Sequence, residues 1–456
     1  MSRDRGAAPG AQRPRDRLGH RDLFVAHRVR SEGRATRVFA TQCVPARRGR
    51  VKAVALLSVT SQYRRWIGNA ALLIVLSVVC GFFAARLDDW YEGRDFHCFW
   101  VAGRIVASGG DPYDAQQYVP AISTIPPSPE KSLVRCGQRL SYPPWTGMAL
   151  APFGALPLPA AATLWASLMV MATVLGIYWT WQLVGTRRIP WPLVAVLVVC
   201  TAPGIHSFIE GQFAMFTFAL SAGAALSMRR ERDTAGGIAT ALLSVKPQTG
   251  IGFAAVVIGL AILRRRRRFV VAAGAAGLGL AGVSQLLRPG WIVEFVGGAT
   301  ELSGAVTDRS TIWNLTGSWP LAVVTIALLL TAVVVLIRGR GAEDADILGL
   351  AVSFSLVVAP YAWNHDYVVL AIPWSMTIAH ARQLRPLLRR TLMYATVIVA
   401  APLLWAIGAT IELFLRGETF YAVVPMLTAV LLAFAIRLAP RPRLSLAVEP
   451  GNQPSI

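Results

Sequence analysis

The chain has 456 residues, of which 54% are hydrophobic and only 15% are charged. This composition excludes an ordinary soluble domain and is typical of a protein that crosses a membrane many times. The net charge of +21 is concentrated in residues 1–65, where sixteen Lys or Arg and four Asp or Glu contribute +12. The other basic residues form short clusters between apolar runs, so the charge indicates cytoplasmic loops and no nucleic-acid partner.

This pattern divides the chain into three regions. Residues 1–65 are rich in Arg, Gly, Ala and Pro and lack a secretory signal. They are predicted to be a basic, disordered cytoplasmic extension, or else the product of an over-extended start site. Residues 66–438 are predicted to form the membrane domain, and residues 439–456 a cytoplasmic tail.

Several apolar runs are long enough to cross a bilayer, since a span needs about 20 residues and fewer when flanking side chains reach the interface. They are residues 66–87, 158–183, 190–206, 211–228, 269–287, 318–338, 347–362, 366–381, 391–411 and 420–437. The Arg clusters between them, such as Arg187-Arg188 and the run Arg264 to Arg268, should face the cytoplasm.

Residues 235–263 are predicted to form a hairpin, because Arg-rich ends on both sides require the chain to enter and leave the membrane within about 30 residues. Lys246-Pro247-Gln248 interrupts this hairpin, since proline lacks a backbone donor and breaks a helix. A Lys at this depth indicates contact with protein or a wet cavity, or else a side chain that reaches out to the outer interface. With the hairpin as two crossings, the prediction is an all-α polytopic fold with about 10–12 transmembrane helices and both termini inside.

The outer side then receives a long first loop, residues 88–157, and a second loop, residues 288–317. Residues 99–108 and 145–153 are predicted to be short interfacial helices. Cys98 and Cys136 would both lie outside, where they either form a disulfide or remain two free thiols. The cysteines show no metal-ligand spacing, so no metal site is predicted.

Asp95 opens the first outer loop at the lipid–water boundary. A partly desolvated carboxylate in that place is a candidate general base for chemistry on lipid-borne substrates. The alternative is that Asp95 is only the N-cap of a helix that begins near Phe96, which is common for Asp.

Cationic side chains on the outer side are candidates for stabilising a developing negative charge. They are Lys246, Arg309, Arg104 and His365. Lys246 and His365 interrupt apolar stretches, where charge is costly, whereas Arg309 is either functional or simply solvated. His365 is either functional or a hydrogen-bonded interfacial residue beside Asp366.

Three further segments of the outer side have both a structural and a functional interpretation. Residues 109–114 are predicted to be a turn, since Gly, Asp and Pro together stop a helix and fix a bend. Tyr142-Pro143-Pro144-Trp145 is predicted to be an interfacial anchor whose Tyr is also placed to contact a substrate. Glu210-Gly211-Gln212 is either a plain tight turn or a turn that presents the Gln212 amide to substrate hydroxyls.

These segments together resemble glycosyltransferase family 87, which belongs to the GT-C superfamily of polytopic enzymes that use polyprenyl-phosphate sugars. The resemblance spans roughly residues 66–435 and is most specific in the first outer loop. It rests on the segments 95–114, 142–144, 211–212, 246–247 and 364–367. The chain departs from the family at His97-Cys98, where apolar or aromatic residues are expected, and this departure leaves the exact substrate open.

The resemblance implies a GT-C-type fold and an inverting transfer of mannose, or another hexose or pentose, from a polyprenyl-phosphate sugar to a hydroxyl of a lipid-linked glycan. It places the reaction at the outer face of the plasma membrane, among membrane lipids, without a nucleotide sugar, a cofactor or a catalytic metal. Asp95 matches the family's general base, His365 its second active-site residue and Lys246 a phosphate contact. The other substrate-binding candidates are Arg104, Tyr142, Gln212, Arg309 and Asp366.

Two other classes of protein compete with this interpretation. A transporter or flippase of lipid-linked sugars would also be polytopic with buried charges, but transporters bind substrate near the membrane midplane and usually show internal repeats. In this chain the polar residues gather on one side, and no repeat is evident. A non-catalytic membrane scaffold would tolerate replacement of Asp95 by Asn.

Overall fold

The computed structural model describes residues 77, 94–123, 136–185, 188–297, 311–340, 342–400, 405, 407 and 418–440. These residues form helices and connecting turns, and no strand occurs among them. The α-helices are α1 Asp95–Ala107, α2 Ala115–Ser123, α3 Pro144–Gly154, α4 Leu158–Val184, α5 Trp191–Val199, α6 Ala202–Ile209, α7 Ala214–Arg229, α8 Asp233–Leu242, α9 Pro247–Leu263, α10 Arg267–Leu287, α11 Ile312–Thr316, α12 Trp319–Ile337, α13 Asp344–Val357, α14 Ala371–Ala381, α15 Pro386–Ala400 and α16 Val423–Leu438. Short 3-10 helices cover Leu243–Val245, Asn364–Leu370 and Glu418–Ala422.

Within the described residues, four helices are long and apolar enough to cross a membrane: Leu158–Val184, Arg267–Leu287, Trp319–Ile337 and Thr419–Leu438. A fifth crossing is counted if α5 and α6, which meet at a bend of 60°, are one broken span. Much of the apolar surface of α10 and α12 is not covered by the rest of the protein, which suits helices that face lipid. The described part of the chain is therefore helical throughout, and its long apolar helices are those of a membrane protein, as the composition predicts.

Most predicted spans coincide with helices, because long apolar runs without charges satisfy their backbone hydrogen bonds as helices in lipid. The span 190–206 is divided between α5 and α6, and the span 366–381 begins as a 3-10 helix before α14. The predicted span 66–87, apart from Ser77, lies outside the described residues, as does most of residues 401–417. The extension 1–65 and nearly all of the tail 439–456 also lie outside them.

The segment predicted to be a hairpin consists of two helices with a break between them. The first helix, α8, passes into the 3-10 helix Leu243–Val245, and α9 begins at Pro247. Lys246 stands between them with φ −133° and ψ 74°, outside helical geometry. The ring of Pro247 suits the first position of α9, where no intrahelical donor is needed.

Two helices of the segment predicted to be the first outer loop, α1 and α3, pack closely against each other. Glycines make this approach possible: a Cβ on Gly103 would lie 2.2 Å from the carbonyl oxygen of Leu150, and one on Gly154 would lie 2.0 Å from the backbone nitrogen of Arg104. A disulfide joins Cys98 of α1 to Cys136, so the free-thiol alternative is wrong. The backbone that carries Asp95 is thus held from two sides.

The large hydrophobic core is formed mainly where α4, α7, α9, α13, α14 and α16 meet. The 3-10 helix Asn364–Leu370 is buried in this region and packs against α6 and α7. Burial of this segment carries the polar residues His365 and Asp366 inside the protein, beside the break at Lys246.

Candidate active site

Asp95 is a partly buried member of a polar network whose other members lie deeper or beside it. It is the first residue of α1, and Arg94 is the N-cap, so the alternative that Asp95 is itself the N-cap is wrong. Its Oδ2 accepts a hydrogen bond from the side-chain amide of Gln212. The carboxylate therefore has a fixed orientation and retains exposed surface.

The turn Glu210-Gly211-Gln212 is bound to the start of α1. Glu210 accepts from the backbone N–H of Phe96 through its carbonyl at 3.1 Å and from Arg94 through its carboxylate at 3.2 Å. Gly211 has φ +67°, a conformation that side chains disfavour. Its carbonyl accepts from the indole of Trp165 at 2.8 Å. This tight turn positions the amide of Gln212 at Asp95.

Gln212 bridges Asp95 and Lys246. Its Nε2 donates to Asp95, while its Oε1 accepts from Nζ of Lys246 at 3.1 Å. The hydroxyl of Tyr142 lies 3.5 Å from the same Oε1. Gln212 is only 5% exposed, so the turn delivers a polar side chain into the protein, and its contact with substrate hydroxyls stays a prediction.

Lys246 is 1% exposed and has three acceptors around its ammonium group. They are Oε1 of Gln212, Nε2 of His365 at 3.4 Å and Oδ1 of Asp366. Three acceptors match the three donors of a lysine side chain, which offsets the cost of burying the charge. The alternative that Lys246 reaches out to the interface is wrong.

The backbone before Lys246 is anchored to α3. The indole of Trp145 donates to the carbonyl of Ser244 at 3.2 Å, and the hydroxyl of Thr146 donates to the carbonyl of Val245 at 3.1 Å. These two bonds satisfy carbonyls that the broken helix leaves open. Because α3 also packs against α1, which carries Asp95, it contributes to the positions of both Lys246 and Asp95.

His365 and Asp366 lie on the 3-10 helix that packs against α6. The hydroxyl of Ser207 donates to the carbonyl of His365 at 2.6 Å. Asp366 accepts from the backbone N–H of Trp363 at 3.1 Å through Oδ2 and pairs with Lys246 through Oδ1. Nδ1 of His206 lies 3.0 Å from the side-chain oxygen of Asn364. The side chain of His365 is buried in the network beside Asp366, and its functional role stays a prediction.

An aromatic cluster lies beside the network. The ring of Tyr142 packs against Phe99 with centroids 5.3 Å apart and against Phe213 with centroids 5.4 Å apart. Burial raises the pKa of Tyr142 well above its usual value, and the nearby Tyr361, Asp366 and Asp95 raise it further. The phenol therefore stays protonated and able to donate a hydrogen bond at neutral pH.

Tyr361 is a residue that sequence reasoning missed. It is close enough to Tyr142 to influence its pKa, and it precedes the segment that carries His365. Its side chain is half-buried. An aromatic residue next to Asn364-His365-Asp366 was the available signal, but a Tyr near a membrane interface is common and carries little weight alone.

The structure does not bring all predicted residues together. It joins Asp95, Tyr142, Gln212, Lys246, His365 and Asp366. Arg104 lies at the other end of α1, where its guanidinium is exposed and stands 5.3 Å from the ring centroid of Trp100. Nine residues of helix separate it from Asp95, which is about 13.5 Å along the axis. Arg309 lies outside the described residues.

The chemistry of the network combines an accessible carboxylate with a buried cation. The carboxylate can accept a proton, and the ammonium favours negative charge in its surroundings. Within the described ranges, no group of three or more His, Cys, Asp or Glu is arranged to hold a metal ion. Fold and site thus define a polytopic membrane protein with a buried polar network that begins at Asp95, on the first helix of the segment 88–157.

The profile of glycosyltransferase family 87 matches residues 140–360. Over this range, which is slightly less than half of the chain, the sequence is similar to that family, and the protein is a glycosyltransferase. The matched range includes Tyr142, Gln212 and Lys246, begins after Asp95 and ends before His365. No curated protein and no solved structure gives a significant match to the chain.

Proposed function

We propose that this glycosyltransferase moves mannose, or another hexose or pentose, from a polyprenyl-phosphate sugar to a hydroxyl of a lipid-linked glycan, with inversion at the anomeric carbon. The observation that carries the proposal is the connection between Asp95 and Lys246 through the single amide of Gln212. A base and a cation joined through one side chain suit a reaction in which a proton leaves one oxygen while negative charge grows on another.

The proposed reaction is a single displacement. A hydroxyl oxygen of the acceptor forms a bond to the anomeric carbon while the bond from that carbon to the phosphate oxygen breaks. The hydroxyl proton passes to Asp95, and the bonding electrons leave with the polyprenyl phosphate. Asp95 and Tyr142 are the two members of the network that are only partly buried, and Asp95 is the carboxylate of the two, which supports its role as the group that meets the hydroxyl.

Lys246 has an electrostatic role in this proposal. Because it is 1% exposed and surrounded by protein acceptors, we infer that its charge acts on the phosphate through space and that it holds Gln212 and Asp366 in place. His365 completes the acceptors of the ammonium group. Tyr142 and Gln212 are the proposed contacts for sugar hydroxyls, since each presents a hydrogen-bonding group beside Asp95.

Arg309 and Arg104 remain proposals for the anionic groups of the substrates. Arg104 is exposed at the far end of α1, where it would meet a charged headgroup of the acceptor rather than the reacting centre. The proposed role of Arg309 is based on its position in the predicted second outer loop, and its proposed partner is the donor phosphate. Binding two lipid-borne substrates beside the bilayer would supply orientation, which accounts for a large part of many rate accelerations.

We place the reaction at the outer face of the plasma membrane with both termini in the cytoplasm, within a GT-C-type fold of about 10–12 transmembrane helices. The distribution of the Arg clusters supports this orientation. The family match favours an enzyme over a transporter or flippase.

The direct test is an assay of the purified protein with radiolabelled polyprenyl-phosphate mannose and a lipid-linked glycan acceptor. Asp95→Asn preserves shape and removes the base, so we expect transfer to fall about 10²- to 10⁴-fold. The matched control is Asp114→Asn, an outer-loop carboxylate that accepts hydrogen bonds from Gln116 and Gln117 and not from the network. Full activity of Asp95→Asn would remove Asp95 from the mechanism, and labelled lipid crossing vesicles without sugar transfer would support a flippase.

A further inference from the structure

The turn at residues 109–114 presents a carboxylate to the end of a membrane helix. Asp111 forms an ion pair with Arg288, the residue directly after α10. The same guanidinium binds the carboxylate of Glu294 through Nε at 2.8 Å and through a terminal nitrogen at 2.6 Å. One arginine thus joins the first outer loop to the start of the second.

Arg288 also covers the ring of Tyr113. Its guanidinium carbon lies 5.1 Å from the ring centroid, within the range of a cation–π contact. The backbone N–H of Tyr113 donates to Oδ1 of Asp111 at 2.8 Å, and its hydroxyl donates to the carbonyl of Tyr142. Burial raises the pKa of Tyr113, with Arg288 opposing the rise. The phenol is therefore a protonated donor at neutral pH.

Two paths of contact lead to the polar network, one from this cluster and one from Trp291, three residues after Arg288 in the chain. The first runs from Arg288 through Tyr113 to Tyr142, whose hydroxyl lies 3.5 Å from Oε1 of Gln212. The second runs from Trp291, whose ring meets Trp145 edge to face at 5.1 Å. Trp145 binds the carbonyl of Ser244, two residues before Lys246.

We propose that Arg288 is a positioning residue for glycosyl transfer: by clamping Asp111 and Tyr113, it fixes Tyr142 relative to Gln212 and Asp95. The inference rests on the proposed function, because it assigns a task in that reaction. Arg288 touches neither Asp95 nor Lys246 among the described contacts. Its effect passes through the first outer loop, and it should alter the rate of transfer more than the affinity for substrate.

The test compares Arg288→Ala, Tyr113→Phe and the double variant in the transfer assay. We expect Arg288→Ala to lower kcat about tenfold with KM within about threefold of the wild type, since a small displacement of a reacting group slows the chemical step. Tyr113→Phe keeps the ring beneath the guanidinium and removes the bond to Tyr142. If both residues act along one path, the double variant should be no slower than the slower single variant.

The matched control is Arg264→Ala, which removes another arginine paired to an aspartate, here Asp344 at 2.7 Å. It should leave kcat unchanged. Unchanged kcat in Arg288→Ala, or independent and multiplying effects of Arg288→Ala and Tyr113→Phe, would overturn the inference.

Hydrogen exchange separates this inference from the proposed function. Backbone amides of residues 140–147 should exchange faster in Arg288→Ala and Tyr113→Phe than in the wild type and in Arg264→Ala, whatever the substrate. If the wild type fails to transfer sugar from the polyprenyl-phosphate donor, the proposed function is wrong. The exchange result alone then tests whether Arg288 positions residues 140–147. Unchanged hydrogen exchange in both variants would overturn the positioning role of Arg288.

Discussion

The amide nitrogen of Gln212 donates a hydrogen bond to Oδ2 of Asp95, although 117 residues separate them in the chain. The same amide accepts from Lys246 through its oxygen. A single neutral side chain therefore links an accessible carboxylate to a buried ammonium group. This link makes Gln212 the residue on which the geometry of the proposed reaction most directly depends.

Replacing Gln212 by Leu removes both hydrogen bonds at similar volume. We expect kcat to fall about 10- to 100-fold, because Asp95 loses its fixed orientation and Lys246 loses one of its acceptors. Gln182→Leu is the control, since Gln182 binds Arg230 at 2.5 Å, away from the network. Steady-state transfer kinetics provide the measurement, and a Gln212→Leu rate within twofold of the wild type would contradict the assignment.

The buried pair of Lys246 and Asp366 leads to a prediction about stability. Each side chain is 1% exposed, so Lys246→Met or Asp366→Asn alone leaves an uncompensated buried charge. We expect each single change to lower the free energy of unfolding by about 3–5 kcal/mol, and the double variant to lose less than the sum.

Unfolding of the detergent-solubilised protein, followed through a double-mutant cycle, measures this coupling. The exposed pair of Arg264 and Asp344 serves as the control, and we expect its coupling free energy to be about 1 kcal/mol or less. Strictly additive losses for Lys246 and Asp366 would show that the two charges are not coupled.

His97 predicts a dependence of stability on pH. Burial lowers its pKa from 6.5 to about 4. Below pH 6.5 the unfolded chain binds a proton that the folded protein does not accept until about pH 4, so the free energy of unfolding should decrease as the pH falls through this window. The full shift in the pKa of His97 corresponds to a decrease of about 3 kcal/mol in the free energy of unfolding.

Comparison with His97→Gln isolates this contribution from other titrating groups. The melting temperature of the wild type, measured between pH 7.5 and about pH 4, should fall more steeply than that of the variant. If the melting temperatures of the two proteins change with pH in parallel, His97 does not titrate as its burial requires.

Much of the secondary structure could be predicted because it depends on local sequence. The 27-residue helix Leu158–Val184 contains no charged residue, and such a run must be helical in lipid. The break in the hairpin at Lys246 was equally local, since Pro247 cannot continue the preceding helix. The bend between α5 and α6 was not predicted, because residues 190–206 read as one continuous apolar run.

The members of the site were mostly visible in the sequence, but their partners were not. Asp95, Gln212, Lys246 and His365 stood out as polar residues beside apolar runs. The ion pair between Arg94 and Glu210 and the nearness of Tyr361 to Tyr142 had no local signal. Partners far apart in the chain meet only when helices pack, and packing depends on the shapes of whole faces.

The sequence by itself determined that this is a helical membrane protein and predicted a carboxylate directly after its first apolar run, because hydrophobic length and charge spacing are properties of contiguous residues. The tertiary structure alone decided that Lys246 lies among Gln212, His365 and Asp366 and does not reach the interface. A buried ammonium group requires acceptors on every side, and only folding brings together acceptors that lie 34 to 120 residues away.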